Sequence, residues 1–107
     1  MENISFEDFK KIEIRIGKII SAEKIEDSDK LLKLQVDFGE EKRQIVSGIA
    51  QFYEADYLIG KECPFVFNLN SKNLRGVESQ GMILAADDEG PVLMNPYKEV
   101  KPGSIVK

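Results

Sequence analysis

The spacing of apolar positions changes along the chain, and each change marks an element. Ser5 followed by Asp8, with Phe6 and Phe9 on one face, predicts a helical turn over residues 5–11. From Ile12 the period falls to two. Ile12, Ile14 and Ile16 alternate with Glu13, Arg15 and Gly17, the pattern of a half-buried first strand. The alternation fails at the adjacent Ile19 and Ile20, which makes Gly17 the expected bend or bulge. A polar turn at residues 26–29 leads to a second strand. Its Leu32, Leu34, Val36 and Phe38 face one way, and Lys33, Gln35 and Asp37 the other. A hairpin connection at 39–42 returns through a third strand, 43–48, and Gln51–Ile59 predicts a short helix closed by Gly60. The run Phe65-Val66-Phe67 predicts a fourth strand, 62–69, covered on both faces. Residues 70–77 read as a polar loop, and Gln80–Ala86 as a fifth strand. Val92-Leu93-Met94 and residues 100–106, divided by Pro96 and Pro102, read as short irregular strands.

Three strands, a short helix and two further strands is the order of an all-β, five-stranded OB-fold barrel, in which a bent first strand serves both sides of the sheet. The expected organisation is a single domain over 1–107, with the barrel at about 12–86 and a C-terminal extension at about 87–107. A chain of 107 residues has room for one core. In this fold, ligands lie across strands 2 and 3, flanked by the loops joining strands 1–2 and 4–5. Lys30, Lys33, Lys72 and Arg75 are placed by the pattern on that face and those loops.

Nineteen acidic against fifteen basic residues give a formal charge of −4. A protein that coats phosphate backbone indiscriminately brings an excess of Lys and Arg, so any nucleic acid here must be held by a local patch and by shape. The absence of histidine removes the commonest general base and metal ligand. The lone Cys63 excludes an internal disulfide and Cys/His zinc sites. No Gly-rich phosphate loop opens a helix, and Asp87-Asp88-Glu89 before Gly90-Pro91 reads as a solvated turn. These features predict no catalytic residues, no cofactor, no metal and no small-molecule substrate. No run approaches the ~20 apolar residues of a membrane span, and Met1–Lys11 is too polar for a secretory signal. The expected location is the cytoplasm.

Several separated blocks resemble one family. They are Ser28-Asp29-Lys30-Leu31-Leu32-Lys33-Leu34, Ile45-Val46-Ser47-Gly48-Ile49, Asn68-Leu69, and Leu74-Arg75-Gly76-Val77-Glu78-Ser79-Gln80-Gly81-Met82. Asp8-Phe9, Ile14-Arg15-Ile16-Gly17 and Lys98-Glu99-Val100-Lys101-Pro102-Gly103 extend the likeness over nearly the whole chain. The family is the tRNA-binding domain found as the C-terminal appendix of methionyl-tRNA synthetases and as free-standing tRNA-binding proteins. The resemblance implies an OB barrel whose C-terminal extension helps form a homodimer, and recognition of the shared shape of tRNA. It points to Asn68, Arg75, Ser79, Gln80 and Met82 as contacts, with Lys30 and Lys33 supplying nearby charge. Two positions depart from the family pattern: Ser71 stands where a proline is usual, and Asn73 where a basic residue is usual. A secretion chaperone of the same fold, which binds unfolded peptides, is the second reading. It ranks lower because the Leu74-Arg75-Gly76 and Ser79-Gln80-Gly81-Met82 blocks are not taken to belong to it. A dimerisation domain with weak RNA affinity is the third.

Each candidate has a plainer alternative. Lys30, Lys33, Lys72 and Arg75 are also what ordinary solvated surface offers. Met82 at the start of an apolar strand suits a core. Ser79 and Met82 share a face only if Gly81 or a neighbour lies in a bulge. Asn68 has the chemistry to bond loop backbone instead of a ligand. Cys63 suits a small apolar core position. Phe6 and Phe9 either cap the open end of the barrel or join Val92, Leu93 and Met94 in a subunit interface.

Overall fold

The strict alternation of the second strand is what organises the interior. In a computed structural model that describes residues 1–107, Leu32, Leu34, Val36 and Phe38 are all buried, while the residues between them remain partly exposed. They form strand β2 (Leu32–Asp37) and its exit, and each buried side chain is worth ~1.5–3 kcal/mol of hydrophobic stabilisation. Against them pack Ile19, Ile45, Leu58, Phe65 and Phe67, with the Phe38 ring meeting Phe65 and Phe67 edge to face at 5.4 and 5.0 Å.

Strand β1 (Ile14–Lys24) is long enough to belong to both halves of the barrel. Residues 14–18 pair antiparallel with β4 (Glu62–Val66), and residues 18–24 pair with β2. Strand β3 (Lys42–Ser47) pairs with the other side of β2. With β7 (Met82–Ile83) the sheet runs β3-β2-β1-β4-β7, the OB order. The irregularity in β1 falls between Ile19 and Ser21, not at Gly17, and it resolves the Ile doublet by burying Ile19 and leaving Ile20 exposed. Gly17 has a different task. A Cβ there would lie 2.4 Å from Val36 Cγ1 and 2.7 Å from Phe38 Cε1, so glycine makes room where β2 crosses the bend.

The helical elements are shorter than the pattern suggests. Helix α1 (Phe6–Phe9) is capped by the Ser5 hydroxyl, which accepts from the Asp8 N–H at 3.1 Å, and it buries no residue. Helix α2 spans only Ala55–Leu58, within the expected 51–59. Phe52 and Tyr53 lie in turns whose N–H groups donate to the Ile49 carbonyl. The Tyr53 hydroxyl is held outside, between the Pro91 carbonyl (2.9 Å) and the Leu93 N–H (3.1 Å).

The segment expected to be a polar loop is a β-hairpin of β5 (Lys72–Leu74) and β6 (Val77–Ser79). The expected fifth strand is broken into β7 and β8 (Ala85–Asp87), the second of which pairs with β9 (Pro91–Leu93). The break has a chemical cause in β4. Leu84 donates to the Pro64 carbonyl at 3.0 Å, but proline has no N–H to return, so the β4–β7 ladder stops and the strand finds a new partner.

The C-terminal segment returns to the barrel. β10 (Ile105–Val106) pairs with Ile14 and Arg15 on β1, and Gly103 and Ser104 exchange backbone bonds with Ile16 at 2.7 and 2.8 Å. Gly103 sits at φ +91°, and a Cβ there would reach within 2.1 Å of the Phe38 carbonyl oxygen. No helix is long and apolar enough to cross a membrane. The buried Cys63 thiol has its pKa raised to about 11, chiefly by burial and then by the neighbouring Glu62, with Lys61 opposing.

The crowding at Gly17 is testable. Gly17→Ala should destabilise the protein by ~1–3 kcal/mol through overpacking, a fall of roughly 5–20 °C in Tm for a domain of this size. Gly48→Ala, where nothing lies within 4 Å of the new Cβ, is the control and should leave the melting temperature nearly unchanged. Equal melting temperatures in thermal unfolding would show that the bend accommodates a methyl group.

Candidate functional site

A sheet rolled into a barrel must join its first and last strands, here β3 and β7. The join is made largely by side chains. Gln80 donates its N–H to the Gln44 carbonyl (2.8 Å) and accepts the Gln44 N–H on its own Oε1 (2.9 Å). One turn of the ladder further on, the Val46 N–H donates to the Ser79 hydroxyl at 2.9 Å, which donates in turn to the Gly81 carbonyl at 3.0 Å. The Gln44 amide donates to the Glu78 carbonyl at 2.8 Å and accepts from Gln35 at 3.0 Å, so a row of amides crosses the outer face from β2 to β6. Gly81 permits the approach, since a Cβ there would lie 2.9 Å from the Val66 carbonyl oxygen and 3.2 Å from Ile45.

The β5–β6 hairpin rises from this seam. Arg75 and Gly76 form its two-residue turn, both with positive φ (53° and 82°), as primed hairpin turns require. The Asn73 side chain accepts the Gly76 N–H at 2.9 Å and stiffens the tip. Lys72 and Arg75 are exposed and have no carboxylate within salt-bridge distance. The result is a rigid projection carrying two free cations.

The sequence-predicted residues therefore separate by role in the geometry. Arg75 and Lys72 stand free on the hairpin. Ser79 is 4% exposed with its hydroxyl engaged on backbone, whereas Met82 is 47% exposed, so the two do not share a face. Gln80 is partly exposed and forms the seam. Asn68 ties the N-terminal segment to the end of β4, accepting the Glu13 N–H (2.8 Å) and donating to the Lys11 carbonyl (2.7 Å). Lys30 is exposed in the turn before β2, and Lys33 is paired with Glu23 at 2.8 Å across the β1–β2 ladder. Gln35, Gln44 and Arg43 were not singled out by the sequence, although the alternation of β2 and β3 puts Gln35 and Gln44 on one outer face.

The residues expected at an interface lie in two places. Phe6 and Phe9 line a groove of about 560 Å³ together with Ile105 and Val106. Val92, Leu93 and Met94 line a different groove of about 580 Å³, beside Tyr57 and Tyr97. Leu93 also packs on the core, while Val92 and Met94 face outward.

Comparison with known proteins gives these features a family. Residues 14–105 match the family model described as "Putative tRNA binding domain". The chain is 52% identical over 107 residues to the methionine–tRNA ligase of Methanoculleus marisnigri and 49% identical over 108 residues to that of Parabacteroides distasonis. These alignments take in 100% and 99% of the chain, but it spans only 16% of the length of either ligase. Among solved structures, the MetRS-related protein of Pyrococcus horikoshii superposes with TM-score 0.94 at 43% identity, each chain covered completely. The CsaA chaperone of Bacillus anthracis superposes with TM-score 0.90 at 28% identity, covering 99% of this chain and 100% of the other.

The turn itself carries a testable cost. A non-glycine residue in the left-handed region costs roughly 1–2 kcal/mol, a penalty that asparagine relieves by local hydrogen bonding. Arg75→Asn should therefore raise stability, by up to about 1 kcal/mol, seen as a higher urea midpoint with an unchanged m-value. A lower midpoint would mean that the Arg75 side chain makes stabilising contacts of its own.

Proposed function

Since the chain belongs to the family of tRNA-binding domains, we propose that it holds folded tRNA on the β5–β6 hairpin and the adjoining outer face of β2 and β3, with no chemistry of its own. The observation that carries this reading is the pair of unpaired cations, Lys72 and Arg75, on a hairpin braced at its tip and root. Arginine suits phosphate because its planar fork bonds two oxygens at once. Met82, exposed just past the hairpin, offers an apolar or stacking contact, and Lys30 and Lys33 add charge on the far side of the face. In this reading Asn68, Ser79 and Gln80 act by placing the surface, since their hydrogen-bonding groups are engaged within the fold. The protein needs no cofactor or metal. It works in the cytoplasm, either free-standing or as an appendix of methionyl-tRNA synthetase, and Asn73 and Ser71 make its loop less basic than the family pattern.

Replacing Arg75 by Ala should weaken tRNA binding without unfolding the protein. Loss of one charged phosphate contact costs about 1.5–3 kcal/mol, roughly 10- to 150-fold in affinity. The slope of log affinity against log salt should shrink by about one unit. Met82→Ala should weaken binding with the slope unchanged. Asn73→Lys should tighten it by less than Arg75→Ala weakens it, because the new lysine faces Glu78 across the hairpin and loses the bond to the Gly76 N–H. Titrations at several salt concentrations separate these outcomes, and wild-type binding by folded Arg75→Ala would remove the hairpin from the site.

The likeness to CsaA chaperones favours a second reading, a peptide-binding chaperone that uses the same barrel. Salt-sensitive binding of folded tRNA supports the first reading. Salt-insensitive capture of an unfolded polypeptide, with no affinity for tRNA, supports the second.

We also propose a homodimer. Phe6 and Phe9 on a helix that buries nothing, next to Ile105 and Val106 on the outer strand of the sheet, leave apolar surface and a strand edge without cover. Exposed Val92 and Met94 contribute where the second groove meets the partner. Light scattering should give twice the mass of the chain at micromolar concentration, and Phe6→Asp combined with Phe9→Asp should halve it. A monomer of the wild type at that concentration would dismiss the interface.

A further inference from the structure

Arg43 begins in β3 and ends at a junction it does not share in sequence. Its guanidinium carbon Cζ lies over the Phe67 ring, 3.5 Å from the centroid, with that of Arg15 over the same ring at 4.2 Å. The Arg43 Nη1 donates to the carbonyls of Phe67 and, at 3.2 Å, of Gln80. Its Nε donates to Glu41 at 2.9 Å. The side chain is 21% exposed. One planar group thus touches the end of β4, where the chain leaves for the hairpin, and Gln80, where it returns. No other side chain donates to backbone at both ends of that excursion.

We propose that Arg43 is a positioning residue for the RNA-binding hairpin: it clamps both roots of residues 68–80 to β3 and so sets where Lys72 and Arg75 stand, without touching phosphate itself. This rests on the tRNA-binding reading given above. The geometry explains why an arginine is used. Nη1 meets two carbonyls, Nε meets Glu41 and the group covers a ring face, a combination that suits a delocalised cation with several donors. Lysine would keep the charge but present a point donor with no plane to stack. The carbonyls and the ring occupy the guanidinium, and Glu41 balances its charge. Nε and Nη1 are thus engaged and only Nη2 has no partner within the fold, whereas Arg75 is free at every donor.

The test compares Arg43→Lys, Arg43→Met and Arg43→Gln, the last keeping a shorter neutral donor, each as the full chain. Bulk tRNA is the probe, titrated at several salt concentrations, and amide hydrogen exchange is followed at 72–80 and at core positions 32–36. Arg43→Lys and Arg43→Met should both weaken tRNA binding about tenfold, leave the salt slope as in wild type, and speed exchange at 72–80 while the core stays protected. Arg43→Gln should do the same, which keeps the test valid if Arg43→Met fails to fold. A salt slope reduced by about one unit in Arg43→Met but not in Arg43→Lys would overturn the proposal by making Arg43 a direct phosphate contact. Affinity within twofold of wild type in a variant with a loosened hairpin would overturn it too. So would full rescue of affinity and protection by lysine, which would make charge alone sufficient. If the wild type binds no tRNA, the parent reading fails, and the exchange data alone decide whether Arg43 holds the hairpin.

Discussion

A rolled sheet leaves two strand edges whose N–H and C=O groups must be satisfied, and in this protein the backbone alone does not satisfy them. Pro64 stops the ladder between β4 and β7, and β7, two residues long, forms no backbone ladder with β3. The edge of β3 would then present the Gln44 and Val46 N–H groups to the interior wall, at ~1–3 kcal/mol for each buried group left unpaired. Gln80 and Ser79 meet those two groups with side-chain oxygens. Arg43 reaches across the same junction to the Phe67 and Gln80 carbonyls. The enclosure of Phe65, Ile45 and Ile83 and the stance of the hairpin both depend on this seam.

That dependence bears on how, in the proposed reading, a chain of charge −4 would hold a polyanion. Long-range attraction is not on offer, because the net charge has the sign of phosphate and salt screens exposed charges beyond a Debye length of ~8–10 Å. What remains is the placing of a few unpaired cations at the spacing of a folded backbone. Exact placing requires a rigid support, and the hairpin has one: Asn73 braces its tip, and the Ser79–Gln80 seam its root. In the proposed reading, shape selectivity and modest charge are two consequences of one economy.

The C-terminal residues serve the fold before any partner. Gly103 and Ser104 bond Ile16, and β10 covers the free side of β1, an edge that would otherwise invite pairing with another chain. The cover is short and apolar. Ile105 and Val106 remain exposed beside Phe6 and Phe9, so the liability is moved outward and not abolished. The proposed dimer is the natural way to finish what β10 begins.

Period-two alternation is a local property of extended backbone, and for that reason β1 to β4 were legible from residues alone, together with the barrel order they imply. The sequence likewise located the two hairpin cations and the polar turns, because charge and turn chemistry are written in adjacent residues. The hairpin at 72–79 was not legible as strands, since three-residue arms are too short to show a period. Nor was the break after Ile83, whose cause lies nineteen positions earlier, in a proline of a neighbouring strand. Gly17 was rightly marked as special, but its reason is the crossing of Val36 and Phe38 and not a bulge. Whether Asn68, Ser79 and Gln80 point outward or inward, and that Arg43 lies on Phe67, 24 residues away in the chain, were decided only by tertiary structure. A side chain's hydrogen-bonding partner depends on which strand edge is brought to it, and that is a property of the closed barrel, not of any stretch of sequence.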